Sequence, residues 1–129
     1  MPRIAVSIVI LAIAGCGGSH AAYVDHSRDP LAYARDVKEL VVDHVHLARQ
    51  SREPGDMLVP IVSELDRLED RPVGEYREVY EQLRAAAQQL LEACQRVDGR
   101  PPELQKQLDQ LLELVAPLPG DVRLVHERR

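Results

Sequence analysis

Apolar residues recur along most of this chain at spacings of three and four, the period of one face of an α-helix. Four segments carry the pattern, beginning near Asp29, Asp56, Pro72 and Pro101. None of them shows the strict alternation and β-branched enrichment that are typical of a strand. The pattern therefore predicts an all-α domain made of four amphipathic helices.

Capping residues mark the expected helix starts. Asp29 and Pro30 predict the start of the first helix, with Asp29 as N-cap and Pro30 at the first helical position. Asp56 is the expected N-cap of the second helix, which places Pro60 near the first turn, where its missing N–H costs least. If that helix instead begins near Pro54, Pro60 lies in its interior and kinks it.

Each helix has an apolar stripe that is expected to face a shared core. The stripes are Tyr33, Val37, Leu40, His44 and Leu47 in the first helix; Leu58, Ile61, Leu65 and Leu68 in the second; Tyr76, Tyr80, Leu83, Ala87, Leu90, Cys94 and Val97 in the third; and Leu104, Leu108, Leu111, Val115 and Leu118 in the fourth. In the first helix, Ala34, Val41, Val45 and Ala48 are expected to widen the stripe into a broad apolar face, with Asp43 and His46 on the solvent side.

Short loops between the helices imply antiparallel neighbours. The expected fold is an antiparallel up-down four-helix bundle over residues 29–119, followed by a frayed tail at 120–129. The two halves also align without gaps at an offset of 43 residues, which places Tyr33 on Tyr76, for example. This internal similarity predicts that the bundle is built from two similar helical hairpins.

The composition narrows the class of function. The formal net charge is −5 at pH 7, and an acidic chain repels the phosphates of nucleic acid. Four tyrosines are the only aromatic residues, so the core must consist mainly of aliphatic side chains. Such a core provides few aromatic side chains to line a ligand pocket. Threonine is absent from the sequence, and no serine lies in a nucleophile motif.

The N-terminus has a different pattern. Residues 4–14 are apolar apart from Ser7, and Arg3 precedes them. As a helix this run is about 16 Å long, too short to cross a bilayer but suited to the apolar region of a secretory signal. It ends in Ile13-Ala14-Gly15-Cys16, an aliphatic residue and two small residues before a cysteine. In these features the segment resembles a bacterial lipoprotein precursor.

The resemblance implies cleavage before Cys16 and attachment of acyl chains to that residue. Residues 1–15 would then be a helical signal peptide that is cleaved off. Residues 16–28 would be the lipidated cysteine followed by a flexible tether. The mature protein would be anchored by lipid in the cell membrane or the outer membrane and face the periplasm. Gly17, rather than Asp, after the cysteine disfavours retention in the inner membrane, although both membranes stay open.

Familiar catalytic and cofactor motifs are absent from the sequence. It contains no Walker loop, no His-Glu-x-x-His, no Cys-x-x-Cys-His and no Glu-x-x-His pair. We therefore expect no catalysis, no resident cofactor and no nucleic-acid partner. The favoured function is a structural or adaptor role in the cell envelope through contacts with another protein, and the sequence leaves a homo-oligomer open.

The alternative is a haem- or metal-binding bundle that uses His44 with Cys94 or Met57. His44 is the one polar residue on its stripe, and Cys94 is expected in the same layer or an adjacent one. Met57 lies about 7 Å closer to the first loop than the level of His44, which is poor geometry for a shared haem. Two ligands also fall short of the four usual in a closed zinc site. We therefore expect His44 to be a hydrogen-bonded or partly exposed core histidine and Cys94 to be a buried, inert cysteine.

Overall fold

The computed structural model describes residues 24–120 of the protein. The predicted signal peptide, the anchor residue Cys16 and the tail beyond residue 120 lie outside the described residues. Within them, the regular structure is entirely helical, which confirms the all-α class. The elements are α1 (Pro30–Gln50), α2 (Pro54–Leu65), α3 (Arg77–Val97) and α4 (Leu104–Val115), with short 3-10 turns at Leu68–Asp70 and Gly74–Tyr76.

The start of α1 is confirmed as the sequence predicts. Asp29 is the N-cap, and its Oδ1 accepts a hydrogen bond of 3.0 Å from the Leu31 N–H, while Pro30 opens the helix. This bond satisfies one of the backbone donors that a helix leaves free at its N-terminus.

The second helix starts at the alternative position that the sequence leaves open, Pro54, and it is shorter than the predicted stripe. α2 begins at Pro54 rather than after Asp56, so Pro60 lies inside the helix. Pro54 has the backbone angle that a first helical position requires, which makes it a sufficient start signal. α2 ends at Leu65, before the last residue of the predicted stripe, Leu68, which a 3-10 turn nevertheless buries.

The later helices also start after the predicted positions. α3 begins at Arg77 instead of near Pro72, because Gly74 takes a left-handed backbone angle (φ +53°). A side chain at Gly74 would also meet Pro30, whose Cβ would lie 2.8 Å from the added Cβ. α4 begins at Leu104, after a turn in which the Leu104 N–H donates to the Pro101 carbonyl at 3.1 Å.

An aspartate in the left-handed conformation ends α3. Asp98 takes the left-handed conformation with φ +53°, and the Gly99 N–H donates to the Cys94 carbonyl at 3.2 Å. Aspartate tolerates this conformation better than most residues do.

The helices pack around one shared core. α1 contacts α2 and α4, and α3 contacts the same two helices. The stripes of α2 and α4 are buried as predicted, as is most of the α3 stripe. Fully buried large side chains include Tyr33, Tyr80, Leu58, Ile61, Leu65, Leu83, Leu90, Leu108 and Leu111.

The predicted face of α1 is partly wrong. Leu47 is 45% exposed and Asp43 is buried, the reverse of the expected arrangement. The core face of α1 is centred on Val37 and on the four residues predicted to widen the stripe, Ala34, Val41, Val45 and Ala48, which are all at most 1% exposed. These short side chains allow close helix approach, and centring the face on them turns Leu47 outward.

Two further side chains depart from the predicted pattern. Val97, expected on the α3 stripe, is 49% exposed at the last helical position. The ungapped alignment of the two halves pairs the exposed Leu47 with the buried Leu90, so it does not describe burial in α1. The helix lengths nevertheless repeat, since α1 and α3 have 21 residues each and α2 and α4 have 12 each.

Two cationic side chains cap the ends of neighbouring helices. Lys38 Nζ donates to the carbonyls of Ala116, Leu118 and Gly120 just after α4, at 3.3, 3.0 and 3.0 Å. Arg100 donates to the Ser51 carbonyl after α1 at 2.6 Å. Cations are favoured at helix C-termini, where carbonyl groups lack partners. Among the helices of residues 24–120, none has both the length and the apolar character needed to cross a membrane.

The first prediction tests the core. Leu83 and Leu90 are at most 1% exposed in the middle of α3, so truncating either to alanine should lower the free energy of unfolding by about 2–5 kcal/mol. Glu78→Ala, on the exposed face of the same helix, is the control and should change it by less than about 0.5 kcal/mol. Urea unfolding measures all three, and equal losses would show that the wrong face has been assigned to the core.

Candidate functional site

A largely buried polar cluster joins α1, α2 and the α2–α3 connection (residues 66–76). Tyr33 Oη donates to Glu64 Oε2 at 2.6 Å, and Arg71 Nε donates to the same oxygen at 2.7 Å. Arg71 Nη2 lies 3.5 Å from the other carboxylate oxygen, Oε1. The side chains of Glu64 and Arg71 are only 11% and 10% exposed.

Local structure explains how the three residues meet. Glu64 is on the last turn of α2 beside the buried Leu65, so its carboxylate lies at the edge of the core. The 3-10 turn Leu68–Asp70 reverses the chain and brings Arg71 back to Glu64. Tyr33 is on the first turn of α1 and is fully buried. The cluster therefore depends on the docking of three separate segments.

Aromatic contacts extend the cluster to α3. The Tyr33 and Tyr80 rings meet edge to face, with centroids 5.5 Å apart and an interplanar angle of 76°. Tyr76 lies 6.4 Å from Tyr80 in a tilted arrangement. Such pairs add to the stabilisation that burial provides. The Tyr80 hydroxyl is buried and has no hydrogen-bond partner within residues 24–120.

The electrostatics of the cluster favour stable, permanently protonated phenols. Burial, and then the hydrogen bond to Glu64, raise the pKa of Tyr33 far above its usual range. Burial also raises the pKa of Tyr80. The hydrogen bond to Glu64 raises the pKa of Arg71, which stays charged. At neutral pH both phenols therefore stay protonated and Arg71 stays charged, and the hydrogen bonds of the cluster tie its three segments together.

The N-terminal segment also reaches this cluster. His26 Nε2 lies 3.6 Å from Glu64 Oε1, and the His26 side chain is 43% exposed. Val24 is buried against the core at 8% exposure. The sequence predicts a flexible tether over residues 16–28, but residues 24–28 lie against the helices. The remaining tether residues, including His20, fall outside the described part of the chain.

His44 is a half-buried histidine that bonds to its own helix. Its Nδ1–H donates to the Leu40 carbonyl at 2.9 Å, four residues earlier in α1. This confirms the interpretation of His44 as a hydrogen-bonded histidine at the margin of the core. The same bond leaves Nδ1 unavailable as a metal ligand.

Cys94 is buried and faces the start of α2. It is 4% exposed, and burial raises the pKa of its thiol, which disfavours the reactive thiolate. A Cβ added at Gly55 would lie 3.3 Å from the Cys94 Cβ, so glycine permits close approach of α2 to α3 here. Cys94 is thus buried as predicted, and the raised pKa of its thiol agrees with the expectation that it is inert.

A shallow cleft lies over Cys94, with a volume of about 190 Å³. Its lining combines acidic, apolar and glycine residues from the start of α2 and the end of α3. The lining residues are Glu53, Gly55, Asp56, Val59, Leu91, Cys94, Gln95, Asp98 and Gly99.

The structure does not assemble the predicted ligands into a metal site. No group of three or more His, Cys, Asp or Glu side chains within residues 24–120 is placed to hold a metal ion. Met57 is half-buried and packs against the core. The shared layer of His44 and Cys94 stays a prediction, as does lipidation at Cys16, which lies outside the described residues.

Sequence analysis did not identify the Glu64 cluster. One signal was present, because Glu64 falls between Ile61 and Leu68 at helical spacing, on the margin of the buried stripe of α2. A carboxylate at such a position needs a partner. The sequence alone does not identify the partners of Glu64, because Arg71 lies beyond the end of the helix and Tyr33 is 31 residues from Glu64 along the chain.

Comparisons with known proteins do not place this chain in a family. No protein-family model matches it, and neither does any curated protein or solved structure.

The second prediction tests the buried ion pair. Arg71→Met should lower the free energy of unfolding by about 3–5 kcal/mol, because it leaves the Glu64 carboxylate buried without its charged partner. Arg77→Met is the matched control, since Arg77 pairs with Glu81 on an exposed surface, and its loss should be within about 0.5 kcal/mol. Urea unfolding of both variants measures the two losses in free energy of unfolding. Losses of equal size would show that the Glu64–Arg71 pair is no stronger than a surface pair.

The third prediction concerns alkaline pH. The pKa of Tyr33 is higher in the folded state than in the unfolded state, so folding is favoured below the unfolded value and loses stability as the pH rises above about 10. Each buried tyrosine should contribute a slope of up to about 1.4 kcal/mol per pH unit. Tyr33→Phe should give a shallower slope than the control Tyr76→Phe in unfolding measured at several alkaline pH values. Identical slopes would contradict the prediction.

Proposed function

We propose that this chain is a lipid-anchored, non-catalytic helical domain of the bacterial cell envelope that acts through protein contacts as a structural element or adaptor. The observation that carries the proposal is Ile13-Ala14-Gly15-Cys16 at the end of a short apolar run. Cleavage before Cys16 leaves acyl chains as the anchor, at about 0.8 kcal/mol per buried methylene. The domain then faces the periplasm from the cell membrane or the outer membrane.

We also infer that the four helices form an antiparallel up-down bundle of two similar hairpins. The contacts support this topology, since α1 and α3 each contact both α2 and α4. The connections between consecutive helices are short, which favours antiparallel neighbours. The repeated helix lengths of 21 and 12 residues support two similar hairpins.

The chemistry of the buried polar groups favours a role without catalysis. Tyr33, Glu64 and Arg71 bond to one another, and the raised pKa of each phenol and of the Cys94 thiol keeps these groups protonated. A nucleophile or a general base needs the opposite tuning. The acidic net charge of −5 argues against nucleic acid, which leaves a protein as the favoured partner.

The competing function is haem or metal binding through His44 with Cys94 or Met57. A visible absorption spectrum and metal analysis of the purified domain separate the two. The proposal expects neither a haem band nor stoichiometric metal. A haem band or stoichiometric metal in the unmodified domain would establish the competing function, provided that the signal disappears in both the His44→Ala and the Cys94→Ser variants.

The fourth prediction tests the anchor. Cys16→Ser should abolish incorporation of labelled palmitate and release the protein from the membrane fraction, because the serine oxygen does not replace the thiol as the lipid acceptor. Cys94→Ser is the matched control and should incorporate palmitate as the unmodified chain does, since Cys94 is buried in the helical domain. Label retained in the Cys16 variant would refute the lipoprotein proposal.

A further inference from the structure

The outer face of α1, here defined as Asp36, Glu39, Asp43 and His46, is turned away from the core but is poorly exposed. At about 100° per residue, Asp43 lies on the opposite side of the helix from the core residue Ala34. Asp43 is nevertheless only 9% exposed, and the other three residues of the outer face are exposed only in part. Most of the outer face of α1 is therefore covered.

The corresponding face of α3 is not covered in this way. Glu81, Ala85 and Glu92 lie opposite the core of α3, and all three are exposed. Within residues 24–120, the helices that pack on α1 are α2 and α4, and both lie on its core side. The coverage of Asp43 therefore comes from chain that approaches α1 from outside the four helices.

Residues 24–28, here termed the strap, approach the outer face from the start of α1. The strap precedes Asp29, the N-cap of α1, and runs along the helix, so that the Asp25 N–H donates to the Asp36 carboxylate. Val24 is buried at 8% exposure. The chain is therefore still in contact with the helices at Val24, and it is directed toward the covered part of the outer face.

The spacing of the carboxylates on the outer face fits an extended segment. Asp36 and Asp43 are two turns apart on α1, a distance of about 10 Å along the helix axis. Three residues of extended chain span the same distance at about 3.3 Å each. Ala22 is the residue three positions before Asp25. Its backbone therefore falls beside Asp43 when the strap continues in the same direction.

The sequence before Val24 has the chemistry that the outer face requires. Residues 17–23 read Gly-Gly-Ser-His-Ala-Ala-Tyr and carry no acidic side chain that the carboxylates would repel. Glycine and alanine let a backbone approach a helix closely. The N–H groups of such a segment are donors of the same kind as the Asp25 N–H, and their hydrogen bonds to a carboxylate offset the cost of its burial.

We propose that residues 17–23 continue the strap along the outer face of α1, where their backbone N–H groups donate to Glu39 and Asp43. This segment of the chain is the occupant of the outer face. The C-terminal tail and a second copy of the chain are the competing occupants, and the experiment below separates all three.

The docked segment fixes where the anchor emerges. The chain from Asp25 back to Cys16 spans about 30 Å when extended. From Asp36 to its end, α1 is about 21 Å long. Cys16 therefore emerges beside the end of α1, and the α1–α2 loop faces the membrane while the Glu64 cluster is directed away from it. This orientation rests on the proposed lipid anchor, whereas the docking of residues 17–23 does not.

Carbodiimide cross-linking of the full chain in lipid nanodiscs tests the docking, because the reagent joins a lysine amine to a carboxylate in contact with it. Ala21→Lys and Ala22→Lys are made singly, since neighbouring residues of an extended segment face opposite sides. One of the two variants should cross-link to Glu39 or Asp43, as identified by mass spectrometry.

Two pairs calibrate the cross-linking yield. The native pair of Lys106 and Glu103, 3.8 Å apart, is the positive control. Glu75 is the reference for a freely moving segment, because it is exposed and follows Gly74, which lies against the start of α1. The yield at Glu39 or Asp43 should exceed that at Glu75 about tenfold, the ratio that a preference of about 1.4 kcal/mol produces.

Three results would overturn the docking. Equal yields at Glu75 and at the carboxylates of the outer face would mean that the segment moves freely. A cross-link to Asp43 from Arg123→Lys, without one from Ala21→Lys or Ala22→Lys, would assign the coverage to the C-terminal tail. A mixture of isotopically labelled and unlabelled chains shows whether a cross-link joins two copies, which would assign the coverage to a second copy.

The orientation is measured separately, with a fluorophore on Ser51→Cys and, as the matched control, on Ser63→Cys. Ser51 directly follows α1, whereas Ser63 lies near the opposite end of the helices. Quenching by lipids with nitroxide headgroups should be stronger at position 51, and equal quenching would overturn the orientation. Cross-links without incorporation of palmitate at Cys16 would remove the lipid anchor and the orientation but leave the docking in place.

Discussion

The carboxylate of Glu64 is the group on which one end of this protein depends. It lies at the end of α2, largely out of water, and holds Arg71 from the following connection and Tyr33 from α1. A buried carboxylate is costly unless charged and hydrogen-bonding partners surround it. The α2–α3 connection therefore returns to the end of α2. Tyr80 packs on Tyr33 and extends the same constraint to α3.

The opposite end of the helices is organised by simpler means. Arg100 reaches the carbonyls at the end of α1, and Gly55 lets α2 approach Cys94 closely. Neither feature has the chemistry of a reactive centre, because the thiol is buried and its pKa is raised. At both ends of the bundle, the buried or partly buried polar groups hold helices and connections together.

Periodicity predicted the fold class and much of the core because burial follows the helical period directly. The stripes Leu58–Leu68 and Leu104–Leu118 are buried throughout, and the Asp29 cap of α1 is confirmed. The errors arise where tertiary contacts override local signals. Close helix packing through Ala34 and Ala48 turns Leu47 outward, and Gly74 delays α3. The Glu64 cluster joins residues 31 positions apart, a pairing that no local pattern encodes, and the lipid anchor depends on a motif outside the described residues.

A double-mutant cycle at Glu64 and Arg71 tests the central claim most directly, because it separates the pairing of the two charges from the packing of their side chains. Glu64→Leu alone should be strongly destabilising, since it leaves the Arg71 guanidinium buried without its carboxylate. Adding Arg71→Leu should restore much of the lost stability, because two apolar side chains leave no buried charge unpaired. A double variant that loses the sum of the two single losses would contradict the account, since the charges would then act independently.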